Sequence, residues 1–317
     1  MSETNQTASI PSATAPTAAV NSSPTAGNQN HAGLTNEGDG FIAADDDTDD
    51  AVSLTAGSIA SSTTSISESI PDYRLENERT YHKYKDGKYS LPNDEKENER
   101  LDLQHNLVVR SFDGRLGNTP PNCVPPNVKF EVDDVEETWT YSRPFNYIHS
   151  RMMTSSISNW KAYIKQAYDN LRPGGYLELN EPDASPLSDD GTLKEDSALM
   201  KSIRLLEEAA RIFGRPFEDI QGLKGIMIET GLEDVQTKRF KWPTNGWAKD
   251  PKYREIGAWN YENFAPNWED FTMAPFTRAL GWTKEEVLVH AIEVSRDLAD
   301  RRIHAYLSLW SIWGRKP

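Results

Sequence analysis

The stretch that most limits what this chain can become runs from Trp160 to Leu179. Trp160, Tyr163, Ile164, Ala167, Tyr168 and Leu171 recur at helical spacing and lay one apolar stripe along a helix. Pro173-Gly174-Gly175 is expected to stop that helix, because proline cannot continue the ladder and glycine accepts a left-handed cap. Tyr176-Leu177-Glu178-Leu179 follows as a short strand. Upstream, Val128–Val132 and Phe145–His149 read as two further strands, each ending in polar residues. Strand, acidic turn, strand, helix, Pro-Gly-Gly, strand is the second half of a doubly wound α/β sheet. Ligands of such sheets sit beyond the carboxyl ends of the strands.

Charge is unevenly spread along the 317 residues: 34 Lys and Arg against 49 Asp and Glu give a net −15. Residues 1–70 contain no Lys or Arg and one aromatic, Phe41, with an acidic knot at Asp45-Asp46-Asp47-Thr48-Asp49-Asp50. A stretch so poor in apolar side chains cannot offset chain entropy, so residues 1–72 are expected to form a disordered tail. Residues 73–317 are expected to form the folded domain. No basic start precedes an apolar core, and no apolar run approaches the ~20 residues of a membrane span. The single Cys123 excludes an internal disulfide and suits a reducing compartment. Six scattered histidines without cysteine partners do not indicate a metal site. An acidic chain with one short Tyr- and Lys-rich segment, Pro71–Tyr89, does not read as a nucleic-acid surface.

Further along, Asn93 is a good N-cap for a helix from about Asp94 to Val109. Residues 192–300 read as a mainly helical insertion. Leu199, Ile203, Leu206, Ala210 and Phe213 fall at steps of four, three, four and three, which predicts a helix from Lys194 to Phe213. A second helix is expected over Ile220–Thr230, and a strand over Val235–Trp242. The segment Trp242–Trp282 is crowded with aromatics, including Trp259, Phe264, Trp268 and Phe271, which suit either a core or a cage for a cationic group. Thr283-Lys284-Glu285-Glu286 fits a capping box, and His304–Trp313 alternates as a final strand.

Three runs carry a resemblance to a known family. They are Val128 through Asp134, Phe145-Asn146-Tyr147-Ile148-His149-Ser150-Arg151-Met152-Met153, and Leu171-Arg172-Pro173-Gly174-Gly175-Tyr176. Together with Tyr81-His82-Lys83-Tyr84-Lys85-Asp86-Gly87-Lys88-Tyr89 they resemble class I S-adenosylmethionine (SAM) methyltransferases, and above all the fungal LaeA-like regulators of secondary metabolism. The resemblance implies a Rossmann-like sheet, methyl transfer to an unidentified acceptor, and SAM as cofactor. It implies that Asp134 accepts from the adenine amino group, that Val135, Trp139, His149, Tyr81 and Tyr84 line the cofactor cleft, and that regulatory protein partners and a nuclear or cytoplasmic location go with the activity. Each of these residues has a plainer reading: Asp133-Asp134 as a solvated turn, Trp139 as packing, Pro71–Tyr89 as a segment packed on the domain. Arg151 and Glu181 are the candidates for catalysis. Arg151 would orient a carboxylate or pair with Glu178 or Glu181, and Glu181 lies beyond the expected strand end, where it would act as a base.

One departure from the family pattern matters more than the matches. The family places a strand, a glycine-rich loop, a helix and a second strand with a terminal acid where this chain passes directly from Asn122 to Cys123. A βαβ unit needs about 30 residues, and no Gly-x-Gly follows an expected strand. The chain is therefore expected to lack the cofactor loop. It is then an enzyme sequence missing its first βαβ unit, as a mis-spliced product would be, or a non-catalytic regulatory binding module.

Overall fold

The computed structural model describes residues 40–45, 73–83, 85, 88–113 and 133–317. The expected strand Val128–Val132, Tyr84, Cys123 and the Asn122–Cys123 junction lie outside the described residues, as do residues 1–39 and 46–72 of the expected tail.

A hairpin of β1 (Tyr73–Glu76) and β2 (Arg79–His82) precedes α1 (Glu95–Ser111). Then come β3 (Phe145–Arg151), α2 (Trp160–Asn170), β4 (Leu171–Pro182), α3 (Ala198–Ile212), α4 (Leu223–Thr230), β5 (Glu233–Pro243), α5 (Pro251–Phe264), α6 (Trp268–Ala279), α7 (Lys284–Ala299) and β6 (Tyr306–Arg315). The main sheet has the order β3-β4-β6-β5; β3 and β4 are parallel, and β6 runs antiparallel to both neighbours. Among the described residues β3 pairs with β4 alone, and no helix is long and apolar enough to cross a membrane.

Capping chemistry sets the helix ends. Asp94, not Asn93, caps α1, its carboxylate accepting from Glu97 N at 3.2 Å. Asn159 caps α2 and Ser197 caps α3, which starts later than the stripe alone suggests. Gly231 closes α4 in the left-handed conformation at φ 106°, open to glycine without a Cβ penalty. Thr283 and Glu286 form the expected capping box on α7.

Pro-Gly-Gly behaves differently from the expectation. It lies inside β4, and α2 ends earlier, with Leu171 already extended at φ −86° and ψ 142°. A residue before proline disfavours the helical region, so Arg172 has to leave the helix ahead of Pro173. Gly174, at φ +78°, and Gly175 then bulge against the chain's end, where Gly174 N donates to Lys316 O and Lys316 N to Gly175 O, both at 2.8 Å. The Lys316 ammonium donates to the Tyr168 and Leu171 carbonyls, closing the end of α2 with a positive charge.

Alternation assigns the sheet faces. Ile148, Leu177, Leu179, Ile312 and Val235 point to one face, where α2 and α4 bury them with Trp160, Tyr163, Ile164, Leu223 and Met227. On the other face α1 and α5 cover the far halves of β5 and β6 through Leu107, Val108, Trp242, Ile256 and Leu309. Tyr147 and Tyr176, at the near end of that face, stay exposed. The stretch 192–300 is mainly helical and includes the expected strand, β5, which forms one edge of the sheet among the described residues. Around β5, helices α3, α6 and α7 pack on one another through Leu199, Ile203, Trp268, Ala291, Val294 and Leu298.

Part of the stretch expected to be disordered packs on the domain. Ile42 is buried among Trp247, Ala248 and Tyr306. Ala44 bridges to Ala248, Lys249 N donates to Ala43 O at 2.9 Å, and the buried Lys241 ammonium donates to Gly40 O at 2.9 Å.

Candidate functional site

The carboxyl ends of β3 and β4 open onto a cavity of about 280 Å³. That is close to the lower end of the ~300–1,000 Å³ typical of small-molecule sites. The turn Met152–Ser155 after β3 and the residues Pro182–Ala184 after β4 form one lip. Helix α3 forms a wall with Leu199, Ile203, Leu206, Ala210 and Phe213, the same stripe the sequence displays at four-three spacing. Phe264, Trp268 and Phe271 from the aromatic segment face it, and Arg100 and Gln104 of α1 reach the cavity from a third side. The aromatic segment divides accordingly: Trp242, Trp247, Trp268 and Phe276 are buried, while Trp259, Phe264 and Phe271 are only half-buried.

The lip is held in a costly backbone conformation. Met152 and Ser155 sit at φ +58° and +59°, the left-handed region that side chains with a Cβ rarely enter. Glu181 holds it there. One carboxylate oxygen accepts from Met153 N at 2.7 Å, Thr154 N at 3.0 Å and the Thr154 hydroxyl at 3.3 Å. The other oxygen is buried without a partner among the described residues. Burial pushes the Glu181 carboxyl up to about 8, against the lowering effect of those three hydrogen bonds. Glu181 therefore lies within β4, not beyond it, and does not line the cavity; its geometry is that of a positioning residue. Arg151 donates to His105 Nδ1 at 3.1 Å and pairs with neither Glu178 nor Glu181. Burial lowers its pKa.

The residues assigned to the cofactor cleft fall into separate neighbourhoods. Asp134 is gripped by two lysines of the Tyr- and Lys-rich segment, Lys85 Nζ at 2.8 Å and Lys88 Nζ at 2.5 Å, and accepts from Glu136 N at 3.0 Å. Those lysines, Lys85 first, hold its carboxyl well below the usual carboxylate range. Trp139 donates its indole N–H to Val135 O at 3.0 Å and lies edge-on to Tyr163, so Val135 and Trp139 pack on the α2 side of the core. Tyr81 is buried under the Arg278 guanidinium, 4.7 Å above its ring, and its hydroxyl has no partner among the described residues. His149 faces the open side of the sheet, stacked on Tyr147, with Nε2 2.8 Å from Asn180 Nδ2. Burial lowers the His149 pKa. On the same face the Tyr147 hydroxyl donates to Glu178 at 2.6 Å.

Sequence reasoning did not find the polar floor of the cavity. Arg100 bonds Glu97 twice, at 2.7 and 2.8 Å, and also donates to Gln104 and Asn263 at 2.9 Å, all within a nearly solvent-free patch. A signal was available: Glu97, Arg100, Gln104 and Leu107 recur at helical spacing on one face of α1. Arg215, which joins the cavity wall to Glu136 at 2.7 Å, was also missed.

The described residues do not by themselves make a SAM site. A class I site needs a glycine-rich loop that lets the backbone close on the cofactor and an acid for its ribose hydroxyls. The sequence has no such loop after a strand, and the one carboxylate offered for adenine is spent on two ammonium groups.

Comparison with known proteins identifies the family. Residues 90–237 match the family described as Methyltransferase domain. Methyltransferase pytC of Aspergillus terreus is 34% identical over 298 positions, covering 81% of this chain and 92% of that protein. Probable methyltransferase tdiE of Emericella nidulans is 30% identical, covering 70% and 82%. Secondary metabolism regulator LAE1 of Cochliobolus heterostrophus is 29% identical, covering 77% and 94%. The chain belongs to the SAM-dependent methyltransferase family that includes pytC and the LaeA-like regulators of secondary metabolism.

Proposed function

We propose that this chain carries the acceptor half of a methyltransferase site: it binds an acceptor molecule in the cavity at the ends of β3 and β4, and transfers a methyl group only in a form that contains the missing cofactor unit. The supporting observation is the asymmetry of the site. The acceptor side is a formed cavity with a buttressed lip, whereas Asp134 on the cofactor side is neutralised by Lys85 and Lys88. In that reading Glu181 positions the lip, Trp139 and Val135 anchor the adenine-side turn to the core, and His149 and Tyr81 take no part in binding unless the unit is restored. By kinship with the secondary-metabolism regulators, the role extends to regulation through protein partners in the nucleus or cytoplasm.

The test is to insert a strand, glycine-rich loop, helix and strand unit from a LaeA-like methyltransferase between Asn122 and Cys123 and to compare both proteins for transfer of labelled methyl from SAM into a fungal metabolite extract. The longer protein is expected to label acceptors and the chain as it stands to label none. Equal labelling by both, or by neither, would contradict the proposal.

The second reading, a binding module that never transfers methyl, is favoured by the same ion pairs. Restoring the unit without gaining SAM affinity would support it.

A further inference from the structure

We propose that the cavity accepts a neutral, ring-bearing apolar small molecule and excludes its anionic counterpart. The inference rests on reading the cavity as the acceptor site, and it concerns what the cavity's own groups have left to offer.

Among the described residues four charged side chains line the cavity, and three of them are already paired. Arg100 is matched by Glu97, and four of its hydrogen bonds are spent on Glu97, Gln104 and Asn263. Lys88 is held by Asp134 and Arg215 by Glu136. The fourth, Asp183, is half-buried and accepts from Ser185 N at 3.2 Å. An anion entering the cavity would have to compete with the carboxylates that already hold these three cations and would meet the unmatched Asp183 charge.

Trp268 gives its N–H to Ser202 Oγ at 2.9 Å, and the Arg100 guanidinium lies 4.7 Å over the Phe271 ring, so the aromatic wall offers ring surface rather than free donors. The remaining wall is mainly aliphatic or aromatic, with hydroxyl-bearing residues at Tyr89, Ser90, Thr154, Ser155 and Thr244. A volume of about 280 Å³ suits a bicyclic ring system.

The experiment titrates the full chain with 2-naphthol and, separately, with sodium 2-naphthoate, by calorimetry at pH 7. 2-Naphthol is expected to bind saturably, and Ala184→Trp, which fills the lip side of the cavity, to weaken it at least about tenfold without moving the thermal midpoint. Should Ala184→Trp fail to fold, Leu206→Trp fills the opposite wall and carries the same expectation. 2-Naphthoate is expected to give no saturable heat. Equal saturable binding of the naphthoate, or naphthol binding that both filling variants leave intact, overturns the inference. The result is independent of methyl transfer: naphthol binding with no transfer after restoring the cofactor unit would sink the proposed function and leave the ligand class standing.

Discussion

Glu181 is where burial, charge and backbone strain meet. Its carboxylate is enclosed, holds a turn with two left-handed residues, and leaves one oxygen without a partner among the described residues. Burial raises its pKa from 4.5 to about 8, so between those values the folded state binds more protons than the unfolded state. Stability is then full below about 4.5 and falls as pH rises toward about 8. A tenfold difference in proton affinity between the folded and unfolded states corresponds to about 1.4 kcal/mol, so the loss amounts to a few kcal/mol. Glu181→Gln keeps an acceptor for Met153 N and Thr154 N but cannot ionise. Urea melts at several pH values should show wild-type stability declining over this window and the variant nearly flat. Parallel curves would mean that Glu181 is not the titrating group. Leu177 and Leu179 alone suggest a strand that stops short of Glu181 and leaves it free to act as a base, but β4 runs on through Pro182 and turns the carboxylate inward.

At the scale of elements, the segment at residues 40–45 departs most from what composition suggests. A Ser-, Thr- and Asp-rich stretch lacks the apolar area to fold alone, yet a single Ile42 finds a slot already shaped by Trp247 and Tyr306. Ile42→Ala should cost about 2 kcal/mol or more, the range for truncating a buried aliphatic side chain, read as a lower midpoint in chemical denaturation. An unchanged midpoint would show that the segment adds nothing to the domain. The aromatic segment of α5 and α6 makes a second case. Phe276 is fully buried against Val287 and Met273, so Phe276→Ala should cost about 3–5 kcal/mol. Phe264 faces the cavity, so Phe264→Ala should cost less and alter 2-naphthol binding instead. Equal destabilisation by both would place Phe264 in the core. Apolar periodicity marks which face of a helix turns inward; it does not say whether that face meets packed side chains or a cavity. That is why the α3 stripe reads as core and yet lines the site.

In the molecule as a whole, what was legible followed from local chemistry. The capping box at Thr283 and the stop at Gly231 rest on contacts within a few residues, the helix stripe of α2 and the final strand on apolar patterning, and all are present. Pro173 misled because its effect falls on Arg172, one residue upstream, so α2 ends before the glycines. The ion pairs on Asp134 and the Glu97–Arg100–Asn263 floor join residues 49 and 163 positions apart, a distance over which periodicity carries no information. The central claim is that this half-site binds an acceptor and not the cofactor, and calorimetric titration of the unmodified chain with SAM tests it most directly. No saturable heat is predicted, in the wild type or in Asp134→Ala. Low-micromolar saturable binding that Asp134→Ala abolishes would show a cofactor site rebuilt without the glycine loop and would contradict the account.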